Sequence, residues 1–326
     1  MNILSIDHVH ECVSEDLNKV DLLIKSTLSI RDESIEIIGN YVISAGGKRM
    51  RPLLHLVFSQ LFGYQGNSSI SVAAAIEFFH TATLLHDDVI DESSMRRGKE
   101  AAHKRWSNKY AILVGDFLFS QAFQLMISTE SIEVLNILSK AASTISEGEV
   151  KQLNNLNNID LTEAEYTEVI QAKTAELFAV ACETAAVTSG QTQEMQEASY
   201  KFGINLGISF QIMDDILDYI SVNLGKDLGK DYEEGKVTLP VILLSKLCDE
   251  GEKAFLSRVF KDNEKNDGDF DVLLKMMKKY DVFELSKKEA LKYSNYADQI
   301  FKTHLKELDK QGLIGSILLY QTNRIT

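Results

Sequence analysis

Residues 77–91 read Glu77-Phe78-Phe79-His80-Thr81-Ala82-Thr83-Leu84-Leu85-His86-Asp87-Asp88-Val89-Ile90-Asp91. An apolar run of helical period ends in the pattern D-D-x-x-D. On an α-helix, residues i and i+4 lie on one face. Asp87 and Asp91 therefore project together, with Asp88 about 100° round the axis. The same pattern returns at Asp214-Asp215-Ile216-Leu217-Asp218, again behind a long apolar run. Three carboxylates within about one turn repel each other. A cation offsets that cost. Carboxylate-only donors suit a hard ion, and Mg²⁺ commonly takes one or two carboxylates together with substrate phosphates. One such cluster alone reads equally well as a solvated acidic turn. A matched pair at the ends of apolar helices points to metal and phosphate.

Working outward, helical periodicity dominates the 326 residues and strand-like alternation is nearly absent. The spacing predicts helices over roughly 10–30, 33–45, 49–62, 70–92, 104–128, 130–153, 162–189, 192–220, 237–248, 270–280 and 283–322, the last broken near Gly312. Thr162-x-x-Glu165 and Ser286-x-x-Glu289 match the capping-box pattern. Residues 249–271 read as a charged surface loop with a short helix inside. Only Pro52 and Pro240 interrupt the pattern. With 44% hydrophobic residues, no interdomain linker and no solenoid-length repeat, the expectation is one all-α domain over 1–326.

The formal charge of −14 argues against nucleic acid and against electrostatic docking on anionic lipid. Cys12, Cys182 and Cys248 are scattered and form no C-x-x-C, so no disulfide framework or thiolate metal site is expected. The polar N-terminus is unlike a secretory signal. No run of about 18 apolar residues is seen, so no transmembrane segment is expected. A cytoplasmic protein is the reading.

Against this acidic background, the basic segments stand out. Gly46-Gly47-Lys48-Arg49-Met50-Arg51-Pro52 lies between two expected helices. Its glycines permit close backbone approach, and Lys and Arg match phosphate oxygens. Arg96-Arg97-Gly98-Lys99 follows the first aspartate cluster. Gly225-Lys226-Asp227-Leu228-Gly229-Lys230-Asp231 and Gly235-Lys236 follow the second, as a lysine-bearing lid without the Walker pattern. Lys173-Thr174 and Gln211 are polar positions on apolar helices, Gln211 three residues before Asp214. His80 lies about two turns before Asp87.

These segments, in this order, resemble the trans-isoprenyl diphosphate synthases, from about Gly46 to Pro240. The matching motifs are G-G-K-R-M-R-P, E-F-F-H-T-A-T-L-L-H-D-D-V-I-D-E-S-S-M-R-R-G, L-V-G-D-F-L, K-T-A-E-L-F, and G-I-S-F-Q-I-M-D-D-I-L-D with G-K-D-L-G-K-D downstream. The resemblance implies an isoprenoid synthase-type helical bundle around a deep central cavity, acting as a homodimer. It implies about three Mg²⁺ ions, with Mn²⁺ as a substitute, bridging both clusters and an allylic diphosphate. Asp87, Asp91 and Asp214 would be principal ligands, with Asp88, Asp215 and Asp218 direct or behind them. Arg96, Lys173, Gln211, Lys226 and Lys236 would hold the allylic diphosphate, with Thr174 nearby. Lys48, Arg51, His80 and Arg97 would hold isopentenyl diphosphate.

The implied activity is head-to-tail prenyl transfer, which needs no side-chain nucleophile. Members making short products resemble one another in carrying bulky aromatics four or five residues before the first aspartate. Here those positions are Thr83 and Ala82, both small. The resemblance therefore implies a long product, octaprenyl favoured, as a quinone tail. Phe79, Phe123 and Met126 are candidates for the tunnel floor. Release of so apolar a product suggests transient membrane contact. Other readings are a shorter-chain farnesyl or geranylgeranyl synthase, a non-catalytic partner subunit, a terpene cyclase, and a metal phosphohydrolase built on His55 and His86-Asp87.

Overall fold

Few helix breakers and a 3.6-residue apolar period give a chain of helices. The structure is a computed structural model and describes residues 5–29, 32–47, 49–220 and 228–325. In chain order the helices are α1 (Ile6–Cys12), α2 (Ser14–Leu28), α3 (Glu33–Ile43), α4 (Met50–Leu61), α5 (Ser68–Ile90), α6 (Ala102–Arg105), α7 (Asn108–Ile127), α8 (Ile132–Asn154), α9 (Glu163–Ile170), α10 (Glu176–Thr188), α11 (Gln193–Ile220), α12 (Lys230–Glu233), α13 (Leu239–Leu247), α14 (Glu250–Leu256), α15 (Asp269–Lys279), α16 (Val282–Ile300) and α17 (Leu313–Ile325). Among the described residues the only strands are β1 (Met95–Arg96) and β2 (Lys99–Glu100), an antiparallel pair. The fold is all-α, as the periodicity predicts.

Several expected helices are divided. The stretch 10–30 breaks at Val13, 104–128 breaks at Trp106-Ser107, and 162–189 becomes α9, a π-turn (Gln171–Ala175) and α10. Residues 249–271 hold more helix than expected, because Asp249 and Glu252 form a capping box that starts α14. The box at Thr162 and Glu165 is present. The one at Ser286 and Glu289 is not: Ser286 lies buried inside α16, its hydroxyl donating back to the Val282 carbonyl at 2.8 Å.

Two compact units divide the chain. The first comprises Met1–Ala141, Leu177–Gly203 and Ile300–Ile317. Its centre is α5, which is apolar nearly all round and packs on α7, α4 and α2. Val72, Ala73, Ala74, Ala75, Ile76 and Phe78 have no exposed surface. The second comprises Ala142–Glu176, Ile204–Gln299 and Leu318–Thr326. Its core gathers Tyr166, Ile212, Ile216, Tyr219, Ile242, Phe260, Leu273 and Met277.

The expectation of no transmembrane segment is not confirmed among the described residues. Both α5 and α7 are long and apolar enough by length and composition. In α5 67% of the apolar window is buried, as suits a core helix, whereas in α7 only 33% is.

Gly203 shows how tightly the first unit is packed. A Cβ there would lie 2.5 Å from Ala179 Cα and 2.6 Å from the Phe178 carbonyl oxygen, both backbone atoms. Alanine in a helix normally gains up to about 1 kcal/mol over glycine. Here overpacking should outweigh that gain. G203A is expected to lower stability by about 1–2 kcal/mol in urea denaturation, whereas a gain would show that α10 can shift aside.

Candidate active site

In the first unit, α5 carries the acidic cluster at its C-terminal end. Asp87 and Asp88 lie in the last turn and Asp91 is the C-cap. Backbone carbonyls already make that end negative, so carboxylates there need cations. One is supplied by the β1–β2 hairpin. Arg97 and Gly98 both take positive φ, 51° and 75°, as a two-residue type I′ hairpin turn requires. This turn sends Arg96 back to the helix. Its Nε and Nη2 both donate to Asp88 Oδ1, at 2.8 and 2.5 Å. Burial works against the Arg96 charge, but Asp88, Asp87 and Asp91 more than offset it and hold the guanidinium firmly protonated.

A basic group forms beside it. Arg97 Nη1 donates to the Gly46 carbonyl, and its guanidinium occupies the space a side chain at Gly47 would need. Arg51 Nη1 lies 3.2 Å from His80 Nε2, and its guanidinium stacks over Phe178 at 4.7 Å. Burial and the charges of Arg51, Arg97 and Arg96 push the His80 pKa well down. Neutral His80 thus accepts from Arg51. Arg49, in the left-handed region at φ 45°, pairs with Asp21 and lies 3.9 Å from Glu77 Oε1. Burial raises the pKa of Glu77, against Arg49, Arg51 and Arg97. Sequence reasoning missed Glu77; the signal was a lone carboxylate inside an apolar run.

The histidines of the hydrolase reading serve packing. His86 Nε2 sits 3.2 Å from the Ile112 carbonyl oxygen and 3.4 Å from Asp116, in space left by Gly115. His55 is fully buried against Ala181 O and Thr184 Oγ1, each 3.1 Å away, and burial lowers its pKa to about 4. Of the chain-length candidates, Ala82 and Met126 are fully buried, while Thr83 and Phe123 are half-buried. Phe79 meets Phe119 edge-on at 4.7 Å.

In the second unit a cleft is lined by Gln152, Tyr166, Lys173, Thr174, Gln211, Asp215, Asp231, Lys236 and Thr238, among others. The π-turn aims Lys173 so that Nζ donates to Glu149 Oε2 at 2.6 Å and Gln152 Oε1 at 2.7 Å. Gly148 makes room for it, since a Cβ there would lie 2.9 Å from the Lys173 backbone nitrogen. Thr174 Oγ1 donates to Gln211 Oε1 at 2.8 Å, and Gln211 Nε2 donates to Asp215 Oδ1 at 2.6 Å. Tyr166 donates to the other oxygen, Oδ2, also at 2.6 Å. Burial nonetheless pushes Asp215 up to about 7, against these two donors and with help from Asp214 and Asp218.

The remaining members of the second trio are also engaged. Asp214 pairs with Arg324 of α17, whose guanidinium lies 4.1 Å over Phe210. Asp218 Oδ2 accepts the Asp231 N–H at 3.0 Å. Lys236 Nζ pairs with Glu234 at 2.6 Å. Tyr166, Glu149, Gln152 and Arg324 were missed by the sequence reading. The first three lie outside any spacing pattern, and Arg324 follows Asp214 by more than 100 residues. Lys48 and Lys226 lie outside the described residues.

Among the described residues, no three His, Cys, Asp or Glu side chains form a ready-made cage for a metal ion. The donor chemistry still fits a hard divalent ion. Both trios offer only carboxylate oxygen at the negative end of a helix.

The model of the Polyprenyl synthetase family matches residues 32–277. The octaprenyl diphosphate synthase of Escherichia coli (strain K12) is 43% identical over 200 residues, 61% of this chain and 62% of that protein. The match thus spans under two thirds of this curated relative. A decaprenyl diphosphate synthase from Rhodobacter capsulatus superposes with TM-score 0.91 at 38% identity, covering 98% of this chain and 99% of that one. A polyprenyl synthase from Caulobacter crescentus CB15, in complex with calcium and isoprenyl diphosphate, gives TM-score 0.93 at 37% identity and covers 99% of each chain.

The raised Asp215 pKa has a thermodynamic consequence. As pH rises from its ordinary 3.8 toward about 7, the unfolded chain has lost this proton while the folded chain keeps it. The unfolded state therefore gains relative to the folded one, and stability falls across that window. Asp231, pushed up by burial, Asp215 and Asp218, adds to the slope. With metal chelated, the melting temperature of D215N relative to wild type should rise between about pH 4 and 7, because the variant lacks this falling contribution. An unchanged slope in D215N would place the titration elsewhere.

Proposed function

The chain belongs to the polyprenyl synthetase family, and from that premise we propose that it is a prenyltransferase, an all-trans polyprenyl diphosphate synthase. It adds isopentenyl diphosphate head to tail onto an allylic diphosphate such as farnesyl diphosphate. One observation carries the reading. Each carboxylate trio stands at the negative end of a helix and is bordered by cations, an arrangement suited to a metal ion and a diphosphate together.

Asp87, Asp91, Asp214 and Asp218 would hold Mg²⁺, with Asp88 and Asp215 kept in place by Arg96 and by Tyr166 and Gln211. When bound, the metal supplies positive charge to the leaving diphosphate. Lys173, Lys236, Thr174 and Gln211, with Lys226, bind the allylic diphosphate and stabilise it as its C–O bond breaks and the electron pair leaves with oxygen. Arg51, Arg97 and neutral His80, with Lys48, orient isopentenyl diphosphate so that its double bond attacks the allylic carbon. A proton is then lost, and the departed diphosphate is the base. Apolar walls keep out water that would quench the cation.

A long product, octaprenyl favoured, is supported by small Ala82 and Thr83 on α5 and by a relative of that name at 43% identity over 61% of this chain. A homodimer is supported by α7, which leaves Tyr110, Ile112, Leu113 and Ile127 46%, 42%, 64% and 62% exposed. A cytoplasmic enzyme making a quinone side chain completes the proposal.

Purified protein with Mg²⁺, farnesyl diphosphate and labelled isopentenyl diphosphate should give a single long polyprenyl product, and none with metal chelated. A82F should shorten it by one or more isoprene units. Condensation without dependence on divalent metal would sink the mechanism, and A82F making wild-type product would sink the tunnel argument.

A further inference from the structure

Tyr166 lies outside every motif that led to the proposed function. It sits on α9, and its ring belongs to the core of the second unit at 3% exposure. Two devices hold it still. The Thr162–Glu165 capping box fixes the start of the helix, and Lys246 of α13 pairs with Glu163 at 2.6 Å. Tyr166 lines the cleft, and its hydroxyl donates to Asp215 Oδ2 at 2.6 Å. Gln211 holds Oδ1 at 2.6 Å and is itself held by Thr174 at 2.8 Å.

A carboxylate with one donor can rotate about its Cβ–Cγ bond. With a short hydrogen bond on each oxygen it cannot, and each oxygen keeps a second lone pair for a further partner. Asp215 is thus presented to the cleft in one fixed orientation. Tyr166 is the half of that clamp whose other contacts are apolar core.

We propose that Tyr166 is a positioning residue of the prenyl-transfer reaction: through Asp215 it sets the affinity of the second aspartate cluster for divalent metal and allylic diphosphate. It acts without contacting the diphosphate. This inference rests on the synthase reading.

The test is Y166F in the full chain, which removes one hydroxyl and keeps the ring. Calorimetric titration with farnesyl thiodiphosphate, a slow-reacting allylic analogue, in the presence of Mg²⁺ gives a readout independent of turnover. Binding should weaken by about 5- to 20-fold, the loss of one charge-assisted hydrogen bond. The Mg²⁺ concentration for half-maximal activity should rise and kcat should fall, while the KM for isopentenyl diphosphate stays within about twofold. A merely structural role would lower the melting temperature and leave binding and metal dependence unchanged in the folded fraction, and that result would overturn the proposal.

If Y166F alone folds poorly, the D215A background, which removes both acceptor oxygens, decides the matter. There Y166F should add no further loss of analogue binding, since both act through one contact. Additive losses would show that Tyr166 does not act through Asp215. Wild-type protein that neither condenses isopentenyl diphosphate nor binds the analogue refutes the synthase reading itself. Wild-type protein that does both, with Y166F indistinguishable from it, refutes this inference alone.

Discussion

Negative charge at the C-terminal end of a helix is the constraint on which both aspartate clusters turn. Unsatisfied carbonyls make that end negative, and each added carboxylate costs a few tenths to about 1 kcal/mol. Here six aspartates occupy two such ends. The protein offsets the cost from separate parts of the chain. Arg96 comes from a hairpin, Arg324 from the last helix, Tyr166 and Gln211 from α9 and α11, and the Asp231 N–H from the start of α12. The partners differ in kind. Asp88 and Asp214 are matched by guanidinium charge, whereas Asp215 and Asp218 receive dipoles. Dipoles fix direction while adding no net charge, so Asp215 still prefers to keep its proton up to about pH 7.

The cationic side of the first unit obeys the mirror constraint. Arg49, Arg51 and Arg97 are drawn toward one buried carboxylate, Glu77. Two of the three have left-handed backbone, at φ 45° and 51°. Such positions cost of order 1 kcal/mol or more for a side chain with a Cβ. Arg97 meets this cost inside a turn type that demands positive φ, and Arg49 by standing as the N-cap of α4 with its side chain anchored on Asp21. Two carboxylates, Glu77 and Asp21, among three guanidiniums leave the group short of negative charge, which is the electrostatic condition for binding an anion.

How legible this was in the sequence depends on distance along the chain. The fold class, the long helices and the two aspartate clusters rest on local periods and could be read directly. Arg96 was legible as well, because it follows Asp88 by eight residues. The divisions of the long helices were not. Nothing in Gln171–Ala175 marks a π-turn, since the extra backbone residue is accommodated by packing: α8 approaches through Gly148 and presses on the backbone at Ala172 and Lys173. Ser286 and Glu289 have the capping spacing but lie one turn too deep in α16, where burial decides the hydroxyl's partner. Arg324 and Tyr166 are 110 and 49 residues from their aspartates, a separation across which no period carries information.

The cations assigned to diphosphate do not stand bare. Lys173 rests on Glu149, Lys236 on Glu234, and Arg51 on neutral His80. Binding a diphosphate therefore exchanges one partner for another and does not quench bare charge. For the two lysines the gain is the difference between two ion pairs, so affinity is smaller than the count of cations suggests. Exchange has a compensating advantage for a reaction in which diphosphate arrives bonded to carbon and departs as a free anion. In the proposed reaction, cations that can return to Glu149 or Glu234 would release the product diphosphate without leaving buried charge behind. A site of unpaired lysines and arginines would grip that product most tightly of all, and turnover would stop at its release.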